Sequence, residues 1–207
     1  MNKKNSKVFI IDDDKQLGES ISLLLESGGY KAEVFPDTKQ FLERENYNGS
    51  GCILLDVFLK GKTGLELQEE IETRFECLPI IFITGHGDIS MSVGALKKGA
   101  INFLEKPIDD QQLFNAIDEA LIRSNDLVTK QNELEKFRTI VNSLTAREYE
   151  IFRYLITGRL NKQIASELGI AEHTVKNHRL SITEKLKVKS VAEMVYIAEK
   201  LNIKGAN

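Results

Sequence analysis

Val8-Phe9-Ile10-Ile11-Asp12-Asp13-Asp14 and Cys52-Ile53-Leu54-Leu55-Asp56 are unbroken apolar runs that each finish in carboxylates. Short continuous apolar runs bounded by polar residues read as strands buried on both faces. Two such strands ending in acid imply one acidic site at a shared sheet edge. Downstream, Ile80-Ile81-Phe82-Ile83 delivers Thr84, and Phe103-Leu104-Glu105 delivers Lys106-Pro107.

Around these runs the pattern alternates. Strands are predicted at 7–11, 31–35, 51–55, 79–83 and 101–104, and helices at 15–28, 38–46, 64–74, 89–98 and from 110 onward. Strands alternating with helices predict an α/β fold, a doubly wound five-stranded parallel sheet covered on both faces. Asp37-x-x-Gln40, Thr63-x-x-Glu66 and Asp109-x-x-Gln112 have the capping-box form, and Asp14 is placed to cap the first helix. In such a sheet the ligand crevice lies at the carboxyl ends of the strands. Asp12, Asp13, Asp56, Thr84 and Lys106 all fall there.

From 110 to about 141 neither Pro nor Gly interrupts the chain, and Leu113, Ala120, Leu127, Leu134 and Val141 recur every seven residues. One long helix is predicted, closing the first domain and continuing as a linker that carries a weak coiled-coil seam or stands alone as a spacer. Leu144-Thr145-Ala146-Arg147-Glu148-Tyr149 opens a second unit with a further capping box, stapled by Leu144 and Tyr149. Helical patterns follow near 146–157, 161–168, 172–187 and 190–202. The middle pair is joined by Gly169-Ile170-Ala171, the tight turn of a helix-turn-helix.

The chain's 207 residues suffice for two small domains. No apolar run approaches the roughly 20 residues of a membrane span. The apolar stretch after the basic N-terminus is too short for a signal peptide. Cys52 and Cys77 lack metal-ligand spacing and read as reduced thiols, so a cytoplasmic location is expected. The net charge of −3 hides an asymmetry. Residues 143–207 carry 11 Lys and Arg against 7 Glu, or +4, whereas residues 1–142 carry 17 basic and 24 acidic side chains, or −7. An acidic half suits a cation and a basic half suits phosphates.

The acidic set has a chemistry of its own. An aspartate is a modest nucleophile toward phosphorus, and its phosphoryl donor is also anionic. Asp12, Asp13 and Asp56 offer the hard oxygen ligands that Mg²⁺ (or Mn²⁺) prefers. Such a metal would bridge Asp56 and the incoming phosphoryl group. Lys106 would add a second positive charge and Thr84 a hydroxyl donor. Placement and charge neutralisation carry this chemistry.

With this spacing, residues 5–122 resemble the receiver domain of two-component response regulators. Ile83-Thr84-Gly85-His86-Gly87-Asp88 and Gly99-Ala100-Ile101-Asn102-Phe103-Leu104-Glu105-Lys106-Pro107 are similar to the FixJ-type subgroup in particular. The resemblance implies a CheY-like, flavodoxin-like sheet with Asp56 as phosphoacceptor. It implies metal carboxylates at Asp12 and Asp13 and a third protein ligand in the backbone carbonyl of Phe58. It also implies a switch pair, Thr84 and Phe103, whose hydroxyl and ring move on phosphorylation. His86 is expected to be a loop residue. Leu59-Lys60 stands where the family usually has Met-Pro, so a looser loop is expected there. Phe58, bulky beside the acceptor, is expected to shield an acyl phosphate from water.

Asn161-Lys162-Gln163-Ile164-Ala165-Ser166-Glu167-Leu168-Gly169-Ile170 and His173-Thr174-Val175-Lys176-Asn177-His178-Arg179-Leu180 resemble the LuxR-type helix-turn-helix, over residues 143–205. Ile164, Ala165, Leu168, Ile170, Val175, Ile182 and Leu186 are spaced to form its core. In such a motif the second helix enters the major groove. Lys176 and Asn177 are the expected base contacts, and Lys162, Thr174 and Arg179 the expected phosphate contacts. Lys176, Arg179, Lys185, Lys187 and Lys189 against Glu184 leave the segment 176–189 at +4. His178 is expected to pack. Ala171 stands where a Ser often caps the helix, and Ala caps poorly. The last helix carries an apolar stripe, Val191, Met194, Val195, Ala198 and Leu201. Part of it covers the core and part could pair across a two-fold axis.

The expectation is therefore a receiver domain at 1–122, a helical linker at 123–142 and a small four-helix DNA-binding domain at 143–207. A sensor histidine kinase is the implied phosphoryl donor, and double-stranded DNA the implied target. A homodimer is implied on phosphorylation, with Ser90, Met91 and Val93 through Ile101 as candidate contacts. RNA polymerase is left open as a further partner, and no membrane is expected. Chemistry beyond self-phosphorylation and its reversal is not expected. A Mg²⁺-dependent aspartyl-phosphate phosphatase is the rival enzyme reading, but it wants an Asp where Phe58 stands. The other rival is a phosphorylation-independent DNA-binding protein whose receiver only dimerises. RNA binding is disfavoured because no stacking aromatics accompany the basic helix.

Overall fold

A strand sends successive side chains to opposite faces, and the apolar runs use both. The computed structural model describes residues 6–45, 47–59, 64–85 and 94–206. The chain divides into two compact units, residues 1–129 and 130–207. In the first, β1 (Lys7–Ile11), β2 (Lys31–Phe35), β3 (Gly51–Asp56), β4 (Ile80–Thr84) and β5 (Asn102–Glu105) form one parallel sheet. Its order is β2-β1-β3-β4-β5. The helices are α1 (Lys15–Ser27), α2 (Thr38–Glu43), α3 (Gly64–Arg74) and the start of α4 (Asp110–Asn142). Val8, Ile10, Cys52, Leu54, Ile81 and Ile83 pack with α1 and α4. Phe9, Ile11, Ile53, Leu55, Ile80 and Phe82 pack with α2 and α3. All of β3 is buried, as befits a central strand covered on both faces.

The sheet reverses its winding between β1 and β3, which opens a crevice at their carboxyl ends. The Gly64 N–H donates to the Val57 carbonyl at 2.9 Å. A Cβ at Gly64 would lie 2.5 Å from the Asp56 carbonyl oxygen, so only glycine lets α3 start this close to the strand end.

Three strands end one residue later than predicted, and two of them begin later too. Asp56 and Thr84 therefore close β3 and β4 from inside the ladder, and Lys106 directly follows β5. The predicted helix 38–46 stops at Glu43. Arg44 turns extended, with ψ 159, and its guanidinium carbon sits 4.3 Å from the centre of the Phe9 ring. Asp14 accepts from the Gln16 and Leu17 N–H groups as expected. Asp37 caps Gln40, but the Gln40 amide reaches the Asp37 carboxylate and not its backbone. Thr63, Lys60 and the 89–93 part of the predicted helix lie outside the described residues, whereas 94–97 are helical. Among the described residues no helix is long and apolar enough to cross a membrane.

The predicted long helix is α4, continuous from Asp110 to Asn142. Leu113 and Ala120 are spent on the first unit's core, and Val141 on the second's. Ser124, between Ala120 and Leu127 on this helix, is fully buried. Its hydroxyl donates to the Cys77 carbonyl at 2.5 Å and accepts from the Gly51 N–H at 2.9 Å. It thus ties α4 to the start of β3 and to the chain entering β4.

The second unit holds α5 (Ala146–Leu155), α6 (Asn161–Leu168), α7 (Glu172–Leu186) and α8 (Val191–Lys200). Ile164, Ala165, Val175, Ile182 and Leu186 are buried as predicted, and Leu168 and Ile170 partly so. The core also takes Ile151, Phe152 and Leu155 from α5. Met194, Ile197 and Ala198 join it from α8. Of the predicted stripe, Met194 and Ala198 are buried and Leu201 packs against the core, while Val191 and Val195 stay half-buried outside the core cluster. Gly169 ends α6 at φ 62, the left-handed geometry the turn requires.

Ser124→Ala strands the buried Gly51 N–H without its hydroxyl partner. Urea denaturation of the full chain should show the first unit weakened by about 1–3 kcal/mol.

Candidate functional site

The sheet register sets the acidic pocket. Asp56 pairs with Ile83, and Thr84 with Glu105. The Lys106 N–H donates to the Thr84 carbonyl at 2.7 Å, which fixes the backbone from which the lysine reaches. Its ammonium then donates to Asp56 Oδ2 at 2.7 Å and to Asp12 Oδ2 at 2.9 Å. The remaining carboxylate oxygens are also engaged. Asp12 Oδ1 accepts from the Asp14 N–H at 2.8 Å, and Asp56 Oδ1 from the Phe58 N–H at 3.0 Å. Asp12, Asp13 and Asp56 each bring one carboxylate oxygen within 4.8 Å of the others. Asp12 and Asp56 are buried and Asp13 is half-buried.

Burial raises the Asp12 pKa above the usual carboxylate range, against the opposing hydrogen bond from Lys106. Burial also pulls the Lys106 pKa down, but its hydrogen bonds to Asp56 and Asp12 outweigh that and raise it. Among the described residues Asp12 and Asp56 share one ammonium, and a divalent ion would add further positive charge to this pair. The three aspartates would offer a divalent ion the hard oxygen donors it prefers.

Thr84 is fully buried, one residue beyond the strand partner of Asp56. Phe103 is half-buried, its ring centre 6.4 Å from that of Phe82. Phe58, whose N–H holds Asp56, is 46 % exposed. Ile101 is half-buried, while His86, Ser90, Met91 and Val93 lie outside the described residues.

In the second unit α7 buries Val175, Ile182 and Leu186 and exposes Lys176 and Asn177. Lys162 is exposed on α6. Thr174, His178 and Arg179 are half-buried, and Arg179 Nη1 donates to Asn161 Oδ1 at 3.4 Å. Ala171 precedes α7 without a side-chain cap, as anticipated. Lys185 is engaged within the unit. It donates to Glu148 Oε2 at 2.6 Å and is no free cation of the basic segment. The segment 176–189 keeps its formal charge of +4, with one of its five cations engaged by Glu148.

Glu148 completes the expected capping box with Thr145. It also accepts from the Ser181 hydroxyl at 2.6 Å, so one buried carboxylate locks α7 to the start of α5. Lys185, then Ser181, then the Thr145 N–H hold its pKa down to about 2. The box was visible in the sequence, but nothing local marked the two partners on α7.

Two family models match the chain: "Response regulator receiver domain" over residues 8–118, and "Bacterial regulatory proteins, luxR family" over residues 142–198. The chain belongs to the response regulator family. It is a transcription factor of the FixJ/LuxR type, with a receiver and a LuxR-type DNA-binding domain. Among curated relatives, the response regulator protein TodT of Pseudomonas putida is 38% identical over 97% of this chain and 88% of its own. The transcriptional regulatory protein FixJ of Bradyrhizobium diazoefficiens is 33% identical over 92% of this chain and 93% of its own. Among solved structures, the response regulator StyR superposes with a TM-score of 0.82 at 42% identity, covering 95% of this chain and 99% of that one.

Glu148→Gln keeps the side-chain shape but leaves Lys185 without its counter-charge. Hydrogen exchange over residues 145–186 should show about 1–3 kcal/mol less protection at neutral pH. A depressed carboxyl stabilises the fold above its ordinary value of 4.5 and loses that contribution as pH falls toward about 2. Protection in the native chain should therefore decline across that interval, and in the variant this decline should be absent.

Proposed function

We propose that Asp56 is the phosphoacceptor of this response regulator and that a sensor histidine kinase supplies the phosphoryl group. One observation carries the proposal: a single ammonium, that of Lys106, spans the buried carboxylates of Asp12 and Asp56. A carboxylate oxygen of Asp56 attacks phosphorus, and the phosphorus–nitrogen bond to the donor imidazole breaks. Lys106 exchanges its hold on Asp56 for the new phosphoryl oxygens, where it balances developing charge. Asp12, Asp13 and Asp56, with the Phe58 carbonyl, are the proposed ligands of Mg²⁺ or Mn²⁺. When bound, that ion supplies charge neutralisation and in-line alignment.

The Thr84 hydroxyl then turns toward the phosphoryl group, and the Phe103 ring moves into the space released. This pair is proposed as the switch. Because Phe103 sits in β5, the proposed altered face is that of residues 89–98 with 101–104, and a second receiver pairs there. Ser90, Met91, Val93 and Ile101 are the proposed contacts. Phosphorylation shifts this equilibrium only as far as it favours one conformer over the other. The proposed domain limits are 1–122 for the receiver, 123–142 for the linker and 143–207 for the DNA-binding domain. Lys176 and Asn177 meet base edges, and Lys162, Thr174 and Arg179 meet phosphates.

Asp56→Ala should abolish labelling by acetyl phosphate in the presence of Mg²⁺. Stoichiometric, persistent label on that variant would place the acceptor elsewhere. Beryllofluoride should raise DNA affinity in the native chain and leave the Asp56→Ala variant unmoved.

Phe58→Ala retains the backbone N–H that holds Asp56 but removes the ring. The half-life of the phosphorylated chain should shorten several-fold, and an unchanged half-life would remove the shielding role.

A further inference from the structure

We infer that Leu180 reads a thymine, through its 5-methyl group in the major groove. The inference rests on the reading that α7 enters duplex DNA, and it assigns a base to one side chain there. Leu180 is 62% exposed, although Val175, Ile182 and Leu186 of the same helix are buried. It takes no part in the unit's apolar core. His173, Lys176, Asn177 and Leu180 follow one another at i, i+3, i+4 and i+7, so they share one helical face. The first three are exposed and polar. Leu180 is the aliphatic member of a polar reading face.

The bases present donors and acceptors along the major-groove floor, with one methyl group among the four, that of thymine. Lysine and asparagine suit the donors and acceptors. Leucine can form no hydrogen bond, so a methyl group is the favourable base contact open to it. It also penalises a base whose polar edge it would cover, because that edge would lose its water. Three residues advance about 4.5 Å along a helix, against about 3.4 Å for a base-pair step. The thymine should therefore lie one or two base pairs from the pair that Asn177 meets.

The test uses the full chain activated with beryllofluoride. Preferred sites are first selected from random duplex DNA, and each thymine is then replaced singly by deoxyuridine, which removes only the methyl group. Burial of one methyl corresponds to a loss of about three- to five-fold in affinity. That loss is expected at one thymine per half-site for the native chain. In Leu180→Ala the same replacement should change affinity less than about 1.5-fold, while replacements at other thymines keep their native effects. The variant's helical circular dichroism and melting should match those of the native chain, since the side chain is exposed. If deoxyuridine has equal effects in both proteins at every position, the assignment of Leu180 is overturned while the DNA reading stands. If the native chain selects no sequence, the DNA reading fails and the assignment with it.

Discussion

The Lys106 ammonium is the charge on which the acidic pocket depends. Two carboxylates buried at adjacent strand ends repel each other and lose hydration, and burial without a counter-charge is strongly unfavourable. Lys106 meets both at hydrogen-bond distance. It can do so because β4 and β5 are in register, with the Thr84 carbonyl holding the Lys106 N–H. A slip of one residue along β5 would turn that side chain to the other face of the sheet. The glycine start of α3 serves the same end, because it closes the far side of the Asp56 backbone without a side chain in the way. The pocket is therefore a product of sheet register as much as of the acids themselves.

Much of this was legible in the sequence because the relevant signals are local. Continuous apolar runs revealed the strands, and polar residues at their ends revealed the pocket. Asp14 and Thr145 announced helix starts by composition alone. The misses share one physical origin, which is contact across long stretches of chain. A serine on a helix reads as solvent-facing, yet Ser124 finds backbone partners 73 and 47 residues away. Arg44 reads as a helical residue, but its backbone is extended and its guanidinium lies over the Phe9 ring, 35 residues earlier in the chain. Glu148 reads as a capping residue, and its further partners lie 33 and 37 residues on. The strand limits moved by one residue because the ladder extends to wherever a neighbour offers a hydrogen bond. Apolar content does not report that.

The two units solve the placement of charge in opposite ways. The receiver pocket gathers Asp12 and Asp56 around the Lys106 ammonium and brings Asp13 beside them, a set of hard oxygens that suits a metal. The second unit neutralises its buried acid completely, using Lys185, Ser181 and the Thr145 backbone. That neutralisation fixes the orientation of α7 within its own unit before any ligand arrives, so less freedom is left to lose on binding.

The Glu148–Lys185 pair also bears on ionic strength. Each protein cation that contacts a DNA phosphate displaces condensed counterions, and this gives the logarithmic fall of affinity with added salt. A lysine already matched inside the fold displaces none. The salt slope of this chain should accordingly be shallower, by about 0.9 for each chain bound, than a count of every lysine on α7 would imply.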